Sequence, residues 1–143
     1  MAKFVVWGCV SIAVLALLIQ AIPVRRVNGP VEADVTAPPD VERVLRRACY
    51  DCHSNLTVWP AYSRVAPASW LVAHDVHDGR NELNFSIWNR YDAVTRRKKL
   101  DLARDEVRSG DMPPAYYLWM HPEARLSDAD KKLLESWFST RKR

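Results

Sequence analysis

RRACYDCHSN, residues 46–55, sets two cysteines three positions apart and a histidine directly after the second. The residues before it carry a helical period. Val41, Val44, Leu45 and Ala48 fall at i, i+3, i+4 and i+7, and Asp40 is placed to cap the helix they define. That helix delivers the chain into Cys49. The same period recurs downstream. A second helix is expected from Ala68 to Asp78, stopped by Gly79. A third begins near Thr95, carries Leu100, Ala103 and Val107, and ends at Gly110. A fourth starts at Ser127, with Asp130 three residues on in a capping-box variant and Leu133, Leu134, Trp137 and Phe138 as its buried stripe. No alternating strand pattern competes, so the expected fold is all-α: four helices joined by long loops.

Working outward, residues 23–39 (PVRRVNGPVEADVTAPP) have four prolines and no apolar period, and are expected to form a linker. Before them, Phe4 to Ile22 contains no charge, with Lys3 on one side and Arg25–Arg26 on the other. Such a run, about 28 Å long as a helix, matches the hydrocarbon thickness of a bilayer. A cleaved export signal is the rival, but Ile19-Gln20-Ala21 makes a poor cleavage site. The organisation expected is a transmembrane signal-anchor at 1–22, a Pro-rich linker at 23–39 and one domain at 40–143. Flanking charge does not decide orientation, because basic residues lie at both ends.

The cysteine motif admits several chemistries. A thioredoxin-like dithiol needs a βαβ context that this chain lacks. A zinc site built from Cys49, Cys52, His74 and His77 would have unusual histidine spacing and leave His53 without a role. Covalent haem uses every member. On a helical turn Cys49 and Cys52 share a face, so both thiols reach the vinyl groups along one porphyrin edge. His53 follows at once to bind the iron. The expected cofactor is thus one haem c per chain. Such attachment occurs outside the bacterial cytoplasmic membrane, which orients residues 23–143 toward the periplasm. Cys9, inside the apolar run, reads as a small hydrophobe.

The sixth iron position has several candidates, Met112, Met120, His74, His77 and His121, or is left open. Met112 is favoured because it sits in SGDMPPAYY, where Pro113 and Pro114 stiffen a loop after a glycine-stopped helix. His121, constrained by Pro122, is the second choice. Met120 reads as core or pocket wall, and His74 and His77 as solvated helix residues. The loops at 54–67 and 79–95 are rich in Trp, Tyr, Pro and Asn, and a flat apolar cofactor would give them a packing surface. Trp59, Trp70, Trp88, Tyr116 and Trp119 are expected as apolar walls, and Arg64 with Tyr62 or Trp59 as contacts of the haem propionates.

The stretches CYDCHSN (49–55), WPAYSRVAPASWLVAHDVHDGRNELNFSIW (59–88) and GDMPPAYYLWMHPEARLS (110–127), with the closing amphipathic helix, resemble the small bacterial haem-binding domain family with a single CxxCH. The likeness covers nearly all of residues 40–140, departing at Asp111 where glutamate is expected. It implies c-type haem on Cys49 and Cys52, His53 as proximal ligand and Met112 as distal ligand, in a small c-type cytochrome-like helical domain.

The formal charge of +4 is modest, and the runs RRKK at 96–99 and RKR at 141–143 read as solvated faces and tail. No nucleic-acid motif accompanies them. No acid–base pair or nucleophile constellation points to an enzyme. The function expected is a membrane-anchored, monohaem c-type cytochrome-like protein carrying single electrons in the periplasm to or from a redox partner there or in the membrane. The alternatives are a haem-based sensor or ligand-binding module and a small peroxidase-like enzyme, both of which need a displaceable sixth ligand.

Overall fold

The computed structural model describes residues 1–140; the basic run at 141–143 lies outside the described residues. The chain is helical: α1 (Ala2–Ile19), α2 (Pro39–Ala48), α3 (Tyr50–His53), α4 (Ala68–Glu82), α5 (Ala93–Ser109), α6 (Tyr117–Met120) and α7 (Asp128–Thr140), with short 3-10 turns at 61–64, 88–90 and 122–124. Among the described residues no strand forms, and one isolated bridge pairs Ala33 with Ile87. The all-α architecture is as the helical periods indicated. α1 buries none of its residues and is long and apolar enough to cross a membrane.

α2 forms because Val41, Val44, Leu45 and Ala48 make one buried stripe, while Asp40 and Glu42 in its first turn and Arg46 and Arg47 in its last complement the helix dipole. Its stripe joins Leu100 and Val107 of α5 and Leu134, Trp137 and Phe138 of α7 in a single core. Two local expectations are corrected: α2 begins at Pro39 with Pro38 at the N-cap, so Asp40 lies in the first turn and does not cap the helix. α5 is capped not by Thr95 but by Asp92, whose carboxylate accepts the Thr95 N–H at 2.7 Å; it ends at Gly110 in the left-handed region, φ 87°. At the start of α7, Ser127 and Asp130 exchange the expected bonds, Asp130 N–H to Ser127 Oγ at 3.1 Å and Ser127 N–H to Asp130 Oδ2 at 2.9 Å.

The larger correction is at Gly79, which does not stop α4. The helix runs through it to Glu82. A Cβ at Gly79 would lie 2.7 Å from the Cys52 carbonyl oxygen. Glycine is there so that α4 can press its backbone onto the cysteine-bearing turn.

The Pro-rich segment is joined to the rest of the chain along 26–35. Asn28 Nδ2 donates to the Thr57 carbonyl (2.9 Å), Glu32 N–H to Ser86 (2.9 Å) and Val35 N–H to Phe85 (3.0 Å), and the Val35 side chain is buried in the core.

Candidate functional site

α2 ends at Ala48, and the backbone of Cys49 (φ −125°, ψ −34°) breaks the helix before α3 begins. The single turn of α3 then carries Cys52 and His53, with the His53 N–H closing on the Cys49 carbonyl at 2.9 Å. This turn is locked from several directions. The His53 carbonyl accepts the Phe85 N–H at 2.8 Å. Behind it lies a buried polar network: the Asn55 N–H donates to Ser86 Oγ (2.9 Å), Asn55 Nδ2 to the Pro30 carbonyl (2.6 Å) and Asn84 Nδ2 to Asn55 Oδ1 (2.9 Å). Arg80 bridges the carbonyls of Ser54 and Val27 and the side chains of Asn28 and Thr57. Buried polar groups satisfied to this degree specify one geometry.

The His53 imidazole is held through Nδ1, which lies 2.8 Å from the Gly79 carbonyl and 3.1 Å from that of Leu83, near the C-terminal end of α4. Carbonyls only accept, so Nδ1 carries the proton and Nε2 keeps its lone pair. Burial holds the pKa of His53 below the ordinary histidine value, against the raising effect of those two carbonyls. The ring is therefore a neutral donor, fixed in one tautomer. Burial pushes both Cys49 and Cys52 up to about 12. That is the reverse of a redox-active dithiol, whose attacking thiol has a lowered pKa.

Cys49, Cys52 and His53 line a cavity of about 370 Å³, and Met112, Pro113 and Pro114 line it too. The rest of its wall is largely apolar, including Leu83, Phe85, Leu102, Val107, Leu126 and Phe138. The methionine loop begins where the N–H groups of Gly110, Asp111 and Met112 converge on the Glu106 carbonyl at 3.1–3.3 Å. It is tied at its far end by two phenols: Tyr116 Oη donates to Asp75 Oδ2 (3.1 Å) and Tyr117 Oη to Asp51 Oδ2 (3.0 Å). Asp51 lies between the two cysteines, and its other oxygen accepts the Val58 N–H at 2.9 Å. One carboxylate thus links the cysteine turn, the following loop and α6.

The other candidates from the sequence lie elsewhere. His121 lines an adjoining pocket of about 30 Å³ that shares Asp51, Cys52, Asp75 and Tyr117 with the larger cavity; its Nε2 is 2.7 Å from Tyr62 Oη, its Nδ1 3.2 Å from Glu123 and its ring stacked on Tyr117 at 4.3 Å. Met120 is mostly exposed and does not line the larger cavity. His74 pairs with Asp78 (3.3 Å) and His77 with Asn81 (3.0 Å); both histidines are exposed and neither lines the cavity, although Asp78 does. Among the described residues no three His, Cys, Asp or Glu side chains are grouped to hold a metal ion by themselves.

Nor are Trp59, Tyr62 and Arg64 on the cavity wall. The Trp59 indole donates to Asn28 (3.2 Å), Tyr62 is committed to His121, and Arg64 is exposed. Of the five aromatics expected as walls, only Tyr116 lines the cavity. Trp88 is buried edge-on against Tyr91 instead, and Trp119 is 79% exposed. The one cation of the described lining is Lys99, whose Nζ donates to the Glu82 carbonyl at the end of α4. Gly79, Lys99, Asp51 and Tyr117 had not been singled out as site residues. Gly79 was the one with a legible signal, a glycine inside an otherwise unbroken helical period.

The donor set suits covalent haem: two thiols on one turn, an imidazole with one nitrogen tied off and the other free, a thioether on the same cavity and apolar walls. A family model described as a haem-binding domain matches residues 14–140. No curated protein and no solved structure gives a significant match.

Proposed function

The chain belongs to the haem-binding domain family, and from that premise we propose that it is a monohaem c-type cytochrome-like protein carrying single electrons in the periplasm, anchored in the inner membrane by α1. The observation that carries this reading is the meeting of Cys49, Cys52, His53 and Met112 on one cavity. Bound there, haem supplies a one-electron iron couple. The chain does the rest. The sulfurs of Cys49 and Cys52 would hold the haem as thioethers, each thiol adding across a vinyl group. His53 Nε2 would be the imidazole ligand to the iron, and its Nδ1–H, donated to the Gly79 carbonyl at 2.8 Å, keeps the ring oriented and its basicity high. Met112 offers a sulfur donor that favours the reduced metal. Leu83, Phe85, Leu102, Val107, Leu126 and Phe138 exclude water, which disfavours the more highly charged oxidised state. Its partner is a redox protein of the periplasm or membrane, and the chain carries electrons rather than transforming a substrate.

Acid–acetone extraction of purified protein tests the central claim: the colour stays with the polypeptide. Haem that extracts freely would overturn it. A second reading, a sensor or ligand-binding module, draws on the exposure of Met112, 36%, which suits a displaceable ligand. Carbon monoxide added to the reduced protein separates the two, because a tightly held Met112 leaves the spectrum nearly unchanged.

A further inference from the structure

The turn at 61–67 meets the end of α1. Gln20, the residue after α1, is bonded twice to the Ala66 backbone: Nε2 donates to its carbonyl (3.2 Å) and Oε1 accepts its N–H (2.9 Å). Six residues on, Arg26 donates to the Ser63 carbonyl at 3.0 Å. These three bonds pin the turn at the level where α1 ends. The side chains flanking the pinned point are apolar and exposed: Val65 at 56%, Leu71 on the first turn of α4 at 49% and Ile22 at 53%. Arg64, next to Val65, and Arg25, three residues after Ile22, are also exposed. Apolar side chains and arginines together, at the point where an apolar helix ends, have the composition of a membrane–water interface.

We infer that this face lies on the bilayer surface, with Ile22, Val65 and Leu71 in the headgroup region and Arg25 and Arg64 on anionic lipid headgroups. The inference rests on α1 being the membrane anchor and adds to it. A tether alone leaves the domain free to turn, whereas a docked face fixes its attitude. α4 starts at that face and brings Gly79 to the cavity about 16 Å further along its axis. Docking therefore sets how the cavity stands relative to the membrane. It also gives the two arginines after α1 a role: Arg26 holds the turn, and Arg25 contacts lipid.

The test uses full-length holoprotein in vesicles of phosphatidylcholine and phosphatidylglycerol. Cys9→Ala leaves an introduced cysteine as the free thiol. Val65→Cys, Leu71→Cys and, as a control, Val94→Cys (an exposed position at the start of α5) each carry an environment-sensitive fluorophore. Positions 65 and 71 are expected to show blue-shifted emission and several-fold greater quenching by headgroup-proximal nitroxide lipids than position 94. Water-like emission at all three positions, in protein that still floats with the vesicles after a carbonate wash, overturns docking and leaves the anchor intact. Protein that does not float overturns both. Arg25→Glu with Arg64→Glu is expected to keep the protein in the vesicles while the shift at 65 and 71 falls toward that of pure phosphatidylcholine vesicles. An unchanged shift overturns the headgroup contact.

Discussion

The cysteine–histidine turn and the methionine loop line the same cavity, yet they are held by different means. At the turn, Ser54 is fully buried and Asn55 nearly so, His53 is bonded through both its ring and its carbonyl, and the backbone of α4 presses onto Cys52 at Gly79. At the loop, Met112 is 36% exposed, the two prolines have no N–H to donate, and the ties are the shared Glu106 carbonyl, the Pro114 carbonyl at the start of α6 and two phenols. The contrast follows what the proposed function would ask of each side. Two covalent bonds and a fixed imidazole need a site shaped before the cofactor arrives. A thioether is a weak ligand, and it sits on the segment with the smaller share of buried contacts. The loop is therefore the part of the site expected to open locally, at lower free energy than the turn.

The comparison breaks most severely at the cysteines. Cys49→Ala or Cys52→Ala is expected to lower or abolish holoprotein, measured as haem absorbance per polypeptide after acid–acetone extraction. Wild-type yield of bound haem in the double variant would remove the basis of the proposed function.

Gly79→Ala comes next. On an exposed helix this change stabilises by about 1 kcal/mol. Here the added Cβ meets the Cys52 carbonyl, and overpacking of this kind costs about 1–3 kcal/mol. Denaturant unfolding of the apoprotein should show a net loss, with poorer haem attachment. A gain in stability would mean the turn is not rigid.

At the loop, Met112→Ala should leave the covalent haem in place. It should also abolish the far-red band of the oxidised protein, admit carbon monoxide and lower the reduction potential, while changing unfolding little. His121→Ala and Met120→Ala should keep that band, since neither residue reaches the cavity wall. A band that disappears with either of them instead would assign the ligand to the wrong side of α6.

The smallest effect is expected at the strap between the two regions. Tyr117→Phe removes the hydrogen bond to Asp51 and should cost about 1 kcal/mol. Hydrogen exchange should quicken at 112–118 and not at 49–55. Equal quickening in both would show that they move as one unit.

Much of this molecule was legible in one dimension. The apolar stripe of α2, the αL glycine closing α5, the Ser127–Asp130 cap and the apolar run of α1 all follow from neighbours within a few positions, where the helix repeat itself decides what faces what. The cysteine turn was legible for the same reason: spacing alone puts the thiols and the imidazole on adjoining positions. The tertiary structure decided what depends on residues far apart in the chain. Gly79 looked like a stop because its partner, the Cys52 backbone, lies 27 positions away in sequence and 2.7 Å away in space from where its Cβ would be. His121 reads as a candidate ligand from its sequence neighbours, and only the fold sets Tyr62, Tyr117 and Glu123 around it. Which aromatics meet the cavity was likewise beyond local pattern, since Trp88 and Phe85 sit three residues apart and only Phe85 lines it. A sequence determines by itself what short-range geometry can satisfy. Contacts that exclude water from a shared cavity exist only once the helices have packed.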